Sequence, residues 1–334
     1  MIATQSDTTM KAIVQDVYGT ADVLELRDMP RPVPQDGEVL IEVRAAGVDP
    51  GVWHLMTGRP YLLRAMGFGL RAPKVRIRGR DLAGRVEAVG GNVTRFKPGD
   101  EVFGTAEGSF AGYVCAREDR LALKPANLTF EQAAVLPISG MTALQGVRDA
   151  GKVKAGQSVL VIGAAGGVGS FAVQIAKAFG ATVTGVCSTS KLEVVRSVGA
   201  DHVIDYTREE FLDGSRRYDL ILDTAGNRPL TRLRRALTPK GTLVIVGGEG
   251  GGGRVLAGFD RQVLRAPLLS LFVSQSLRPM VAQETSADLT ELAKLSESGK
   301  VTPLLDRTYP LSGAADAIRY LAEGHARGKV VVKI

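Results

Sequence analysis

The stretch Gly163-Ala-Ala-Gly-Gly-Val-Gly169 decides the fold of this chain. Ahead of it runs Ser158–Ala164 (SVLVIGA), unbroken in its apolar character, as a strand buried on both faces should be. Behind it, Val168–Phe179 has a helical pattern that stops at Gly180. A small-residue turn in that setting lets backbone come close to a pyrophosphate. The helix start adds free N–H groups and the positive end of its dipole. The fingerprint is weak alone, but here it opens a strict strand–helix alternation. Strands are expected at Thr182–Cys187, His202–Tyr206, Asp219–Thr224, Thr242–Gly247 and near Leu268–Ser274, with helices at Lys191–Val198 and Pro229–Leu237. That series is an α/β, parallel, doubly wound Rossmann sheet. Ala165, Gly166, Gly167, Val168 and Gly169 are then the residues expected to hold a dinucleotide's phosphates.

The end of the second strand indicates which dinucleotide. A site for NAD normally places Asp or Glu there, to hold the ribose hydroxyls. Here the strand ends Val186-Cys-Ser-Thr-Ser-Lys191, with no acid before Glu193. Ser188, Thr189 and Lys191 can donate hydrogen bonds and charge to a 2′-phosphate, so NADPH is the expected cofactor. The plainer reading makes the same residues a helix N-cap, Ser190 especially.

Working outward, the first third of the chain reads as short strands with Gly and Pro punctuation. Lys11–Asp16, Glu38–Ala45 and Gly79–Gly91 are strand-like, and the Pro98-Gly-Asp-Glu-Val-Phe-Gly104 stretch gives a turn and then a strand. Such a pattern points to a compact, β-barrel-like domain. Helices are expected at Leu128–Leu136, Ser139–Ala150 and Ala287–Ser298, and a last strand at Lys329–Ile334. The simplest arrangement places residues 1–127 and 278–334 in the barrel-like domain, with residues 128–277 as the dinucleotide-binding domain.

The bulk numbers set outer bounds. The chain has 334 residues, enough for two domains that each bury a core. It carries no apolar run of membrane-spanning length, and its first ten residues lack the basic start and apolar core of a secretory signal. Two cysteines, Cys115 and Cys187, make neither a disulfide framework nor a metal knuckle, and a reducing cytoplasm is expected. The net charge is +7, from 42 basic and 35 acidic residues, which suits a soluble surface that attracts an anionic ligand. Arg71, Lys74, Arg76, Arg78 and Arg80 cluster in one stretch without interleaved aromatic residues, so nucleic acid is not an expected partner.

Taken together, these motifs resemble the medium-chain dehydrogenase/reductase superfamily, in its zinc-independent, NADPH-dependent quinone oxidoreductase branch. The resemblance runs from about Lys11 to Ile334. It rests on Ala46-Gly-Val-Asp-Pro50, Gly79-Arg-Asp-Leu-Ala-Gly84, Pro98-Gly-Asp-Glu-Val102, Gly140-Met-Thr-Ala143, the glycine turn and Gly328-Lys-Val-Val331. It implies a GroES-like β-barrel catalytic domain made from both ends of the chain, a Rossmann domain between them, and a cleft at their junction. It also implies a homodimer, built by pairing a last strand near Leu268–Ser274. Zinc-containing relatives bind catalytic zinc through Cys at the segment of Asp49 and His at the segment of Arg80. Neither residue stands here, and the four-Cys lobe expected after Phe103 is missing. His54, Asp49 and Asp81 are weak candidate donors, and no metal is expected.

Without a Lewis acid, oxidising an unactivated alcohol is difficult, whereas hydride transfer to a quinone or an α,β-unsaturated carbonyl is easier. His54 is the expected proton donor to the substrate oxygen, Arg80 an oxyanion stabiliser, and Tyr61 and Trp53 walls of the cleft. The resemblance further implies Thr142 against the nicotinamide and Tyr206 beside the adenine ribose. It places Gly247, Phe272 and Val273 as backbone contacts around the nicotinamide. Two other readings compete: a zinc-free alcohol or aldehyde oxidoreductase, and a nucleotide-binding interaction protein whose partner is RNA or protein.

Overall fold

The structure is a computed structural model that describes residues 8–61, 64–226, 228–246, 265–324 and 326–334. It divides into two compact units. One comprises Met1–Ile138, Glu284–Ser298 and Pro303–Ile334, and the other Ser139–Gln283 and Gly299–Thr302.

In the first unit, strands β1 (Thr9–Val14) and β2 (Glu25–Pro30) form an antiparallel hairpin. The main sheet has seven strands: β3 (Glu38–Val48), β4 (Asp81–Val89), β5 (Glu101–Thr105), β6 (Tyr113–Arg117), β7 (Leu121–Leu123), β14 (Leu305–Pro310) and β15 (Lys329–Lys333). Their order is β14-β15-β3-β4-β5-β7, with β6 also paired to β3. The C-terminal strand β15 thus lies antiparallel to β3, Val331 opposite Gly47, so both ends of the chain share one sheet. Helix α1 (Pro50–Thr57) follows β3, with the Asp49 carboxylate as its N-cap and Gly58 in the left-handed region at its C-cap. Val39, Ile41, Val43, Leu82, Val86, Phe110, Ile318 and Val330 make up much of the core, and helix α9 (Ala314–Ala322) packs onto it.

The segment expected to open the dinucleotide domain, residues 128–138, packs with the first unit instead. Helix α2 (Phe130–Ala133) opens with a reciprocal capping box between Thr129 and Gln132. Just after it, helix α3 (Pro137–Gln145) begins, where the Ile138 N–H donates to Asp81 at 2.9 Å.

The second unit carries a six-stranded parallel sheet of β8 (Ser158–Ile162), β9 (Thr182–Cys187), β10 (His202–Asp205), β11 (Tyr218–Asp223), β12 (Leu237–Ile245) and β13 (Ser276–Pro279). Their order, β10-β9-β8-β11-β12-β13, reverses direction between β8 and β11. That is the doubly wound arrangement, with its switch point at the carboxyl ends of β8 and β11. Helices α4 (Gly167–Ala178), α5 (Leu192–Ser197) and α6 (Leu230–Arg235) make the crossovers. Leu160, Ile162, Val186, Ile221, Leu233, Leu243 and Ile245 seal the core on one side of the sheet.

One expectation fails here. Residues 268–274 do not form a strand: α7 (Ala266–Ser270) is a short helix with Pro267 in its first turn, and the edge strand is β13. Leu268, Leu271 and Phe272 point to solvent. The remaining helix, α8 (Ser286–Glu297), is capped by Thr285 and belongs to the first unit. No helix among the described residues is long and apolar enough to cross a membrane.

Candidate active site

The glycine turn sits at the carboxyl end of β8, at the switch point. Gly163 adopts φ +82°, and its N–H and that of Ala164 both donate to Val186 O at 3.1 Å. The Gly166 N–H closes the turn on Gly163 O at 3.0 Å, and α4 begins at Gly167 with no side chain capping it. Its first turn bond runs from Ser170 N to Gly166 O at 2.9 Å, so the N–H groups of Gly167, Val168 and Gly169 precede the helix ladder. Gly169 is the tightest point: a Cβ there would lie 2.1 Å from Gly163 O. At Gly166 the nearest atom would be 3.3 Å away. The cradle is therefore built from backbone donors that no side chain caps, as a pyrophosphate requires.

At the neighbouring strand ends, Ser188 caps the turn Thr189–Lys191 without a side-chain cap bond. The Thr189 hydroxyl donates to the carboxylate of Asp205, at the end of β10, and lies 3.1 Å from the Thr207 hydroxyl. Asp205 also accepts from the Thr207 N–H and hydroxyl, and these bonds hold its carboxyl below the usual range. The sequence reading missed this acid because it belongs to the third strand; parallel register brings it opposite Cys187. Tyr206 follows it, half exposed, with the Arg228 guanidinium 5.7 Å from its ring. Thr142 is buried in α3. Phe272 is exposed and Val273 partly exposed in the turn after α7. Gly247 lies outside the described residues.

The first unit holds a cavity of about 200 Å³. Its apolar walls are Val52 and Leu55 of α1 together with Met66, Phe68, Pro73, Val75 and Ile77. Four charged residues also line it: Lys74, Arg78, Arg80 and Glu107. His54, Tyr61 and Trp53 are not among its lining residues. His54 Nδ1 lies 2.8 Å from Arg59 O, which places its hydrogen on that nitrogen, and its ring stands edge-on to Trp53. Tyr61 is half exposed, stacked by Arg64 at 4.8 Å.

Arg80 reaches the cavity but its guanidinium is bonded to Glu284, which also accepts from Arg120 at 2.9 Å and Thr105 at 2.7 Å. Arg76 is likewise taken, by Asp16. Arg78 differs: it is 4% exposed, its Nε has no hydrogen-bond partner, and burial pushes the guanidinium down to about 10. Within the basic stretch Arg78 is buried, Arg76 and Arg80 are ion-paired, and Arg71 and Lys74 are exposed.

Next to Arg80 in sequence stands a buried ionisable residue, Asp81. Asp81 accepts from Ile138 N and stands 3.5 Å from Lys329 Nζ. Asp49 spends one oxygen on Gly51 N at 2.7 Å, and its other oxygen is buried without a partner. His54, Asp49 and Asp81 do not gather: among the described residues no trio of His, Cys, Asp and Glu is placed to hold a metal.

Comparison with known proteins relates the chain to a dehydrogenase family. An alcohol dehydrogenase GroES-like domain model matches residues 35–126, and a zinc-binding dehydrogenase model matches residues 198–332. The chain is 37% identical to a 2-methylene-furan-3-one reductase of Solanum lycopersicum, over 97% of this chain and 79% of the relative. It is also 37% identical, with the same coverage, to a chloroplastic NADPH-dependent alkenal/one oxidoreductase of Arabidopsis thaliana. Among solved structures, a quinone oxidoreductase from Coxiella burnetii superposes with a TM-score of 0.83 at 32% identity, covering 98% of this chain and 99% of that one.

Proposed function

Because the chain belongs to the medium-chain dehydrogenase/reductase superfamily, in its quinone oxidoreductase-like branch, we propose that it is an NADPH-dependent reductase of α,β-unsaturated carbonyls or quinones. The observation that carries the cofactor half is the glycine cradle at the switch point, where a Cβ at Gly169 would collide with backbone. The relatives' activities supply the acceptor half.

When bound, NADPH supplies the hydride that the acceptor takes up. The chain's own contribution is positional. The N–H groups of Gly167, Val168 and Gly169 hold the pyrophosphate, and Ser188 and Lys191 receive the 2′-phosphate, whereas the Thr189 hydroxyl already donates to Asp205. Asp205 keeps Thr189 oriented through their hydrogen bond. The apolar cavity beside Val52, Leu55 and Phe68 takes the acceptor's carbon skeleton and excludes water from it. At about 200 Å³ it is smaller than the roughly 300–1,000 Å³ of drug-sized sites, which favours a compact acceptor. The proton comes from solvent: His54 is not on the cavity wall, and its Nδ1–H is spent on Arg59 O.

The reading is zinc-free, on the chemistry of the donor set: Arg80 cannot ligate a cation, and among the described residues no three donors are grouped to hold one. A homodimer is part of the same reading, formed over edge strand β13 and the exposed Leu268, Leu271 and Phe272. The test is to supply NADPH deuterated at the nicotinamide carbon together with a simple enone. Label at the carbon β to the carbonyl of a saturated product supports the assignment. Label at a carbinol carbon would instead make the protein a carbonyl reductase.

A further inference from the structure

A buried guanidinium without a counter-ion calls for explanation. Taking a cation out of water costs the folded chain heavily unless an anion or a set of acceptors replaces the lost hydration. Arg78 is 4% exposed, yet no carboxylate among the described residues lies within ion-pair distance of it, and its Nε is unpartnered. Its backbone is fully used, pairing with Ile13 O and the Phe110 N–H, so its position is fixed by the sheet edge. The nearest acid on the cavity wall, Glu107, is exposed and forms no ion pair with it. Around it, Arg80 is ion-paired with Glu284 and Arg76 with Asp16. Arg78 is therefore the buried cation of this basic stretch: it lines a cavity and, among the described residues, has no ion-pair partner there.

We propose that Arg78 is the anchor for a carboxylate on the acceptor, and that the protein's substrates are acidic enones or quinones: a conjugated carbonyl and a carboxylate carried on one short carbon skeleton. The inference rests on the reductase reading above and narrows it. The planar guanidinium matches a carboxylate with two parallel N–H donors, and Lys74 at the same wall adds long-range attraction. Val52, Leu55, Phe68 and Ile77 cover that skeleton. In the reaction the carbon β to the ketone gains hydride, the electron pair passes to the ketone oxygen, and a proton from water completes the α-carbon. NADPH becomes NADP+, and the carboxylate is unchanged throughout.

The experiment compares β-acetylacrylate with its methyl ester, measuring kcat/KM for each with NADPH in the wild type and in Arg78→Met and Arg78→Lys. The wild type should prefer the acid, and Arg78→Met should lower the acid-to-ester ratio by about tenfold or more, the scale of a lost charge-assisted pair. Arg78→Lys should fall between them, because it keeps charge but loses the fork. An unaltered ratio overturns the proposal. So does a rise in the KM for NADPH without a change in that ratio, since Arg78 would then hold a nucleotide phosphate. Binding is read separately with the unreactive, saturated levulinate, by its effect on the thermal midpoint. Levulinate should stabilise the wild type and not Arg78→Met, and methyl levulinate should stabilise neither; no stabilisation of the wild type overturns the proposal. Turnover of neither enone, with levulinate still bound through Arg78, would instead count against the reductase reading alone.

Discussion

The ammonium of Lys329 lies 3.5 Å from the carboxylate of Asp81, and both side chains are closed to solvent. Burial pushes the Asp81 carboxyl up to about 7, with Lys329 opposing and the nearby Asp49 charge adding to the rise. Asp81 thus binds its proton more tightly in the folded chain than in the unfolded one. The stability this proton carries is full below the unfolded value near pH ~4 and is lost as pH rises through about 7.

The consequence is measurable. Between about pH 5 and about pH 7 the wild type should lose up to ~1.4 kcal/mol per pH unit relative to Asp81→Asn, which cannot titrate. Urea-unfolding midpoints of the two proteins across that window check this. Parallel curves would show that Asp81 is ionised throughout and that Lys329 outweighs burial.

The glycine turn makes a graded prediction. Gly169→Ala puts a Cβ 2.1 Å from a backbone carbonyl and should cost about 1–3 kcal/mol of stability, along with most NADPH affinity. Gly166→Ala meets its nearest atom at 3.3 Å and should be clearly milder on both counts. Fluorescence titration of NADPH against the two variants decides it, and equal losses would show that the crowding at Gly169 is not what shapes the cradle.

Lys191→Ala should weaken NADPH by about tenfold or more, as expected for a charge-assisted bond worth ~1.5–3 kcal/mol, and leave NADH nearly unchanged. Dissociation constants for both nucleotides settle the matter. An equal loss for both removes Lys191 from the 2′-phosphate.

Phe272→Asp places a charge in the exposed apolar group with Leu268 and Leu271. Sedimentation should show a dimer for the wild type and a monomer for the variant. A wild-type monomer, or a variant that stays dimeric, would move the interface elsewhere.

The parts legible in the sequence were those governed by local pattern. The run Ser158–Ile162 is apolar on both faces because parallel strands are covered on both sides, and the glycines after it mark the cradle without reference to anything distant. The run Leu268–Ser274 misled because a short apolar stretch fits a strand or a helix equally, and Pro267 tips it to a helix start. Arg78 and Asp205 carry no local signal at all. Whether an arginine in a basic stretch is buried depends on which loop folds over it. Likewise, the bond from Thr189 to Asp205 follows from strand register across many residues. The burden on Arg80 was hidden for the same reason, since its partner Glu284 lies far along the chain.

The most direct test of the central claim is NADPH oxidation by metal-stripped protein, followed with a simple enone and a benzoquinone as parallel acceptors and NADH as the control. The account predicts turnover of at least one acceptor that survives chelation and is faster with NADPH than with NADH. Activity that vanishes on chelation and returns with zinc, or tight NADPH binding with no turnover of either acceptor, would contradict it.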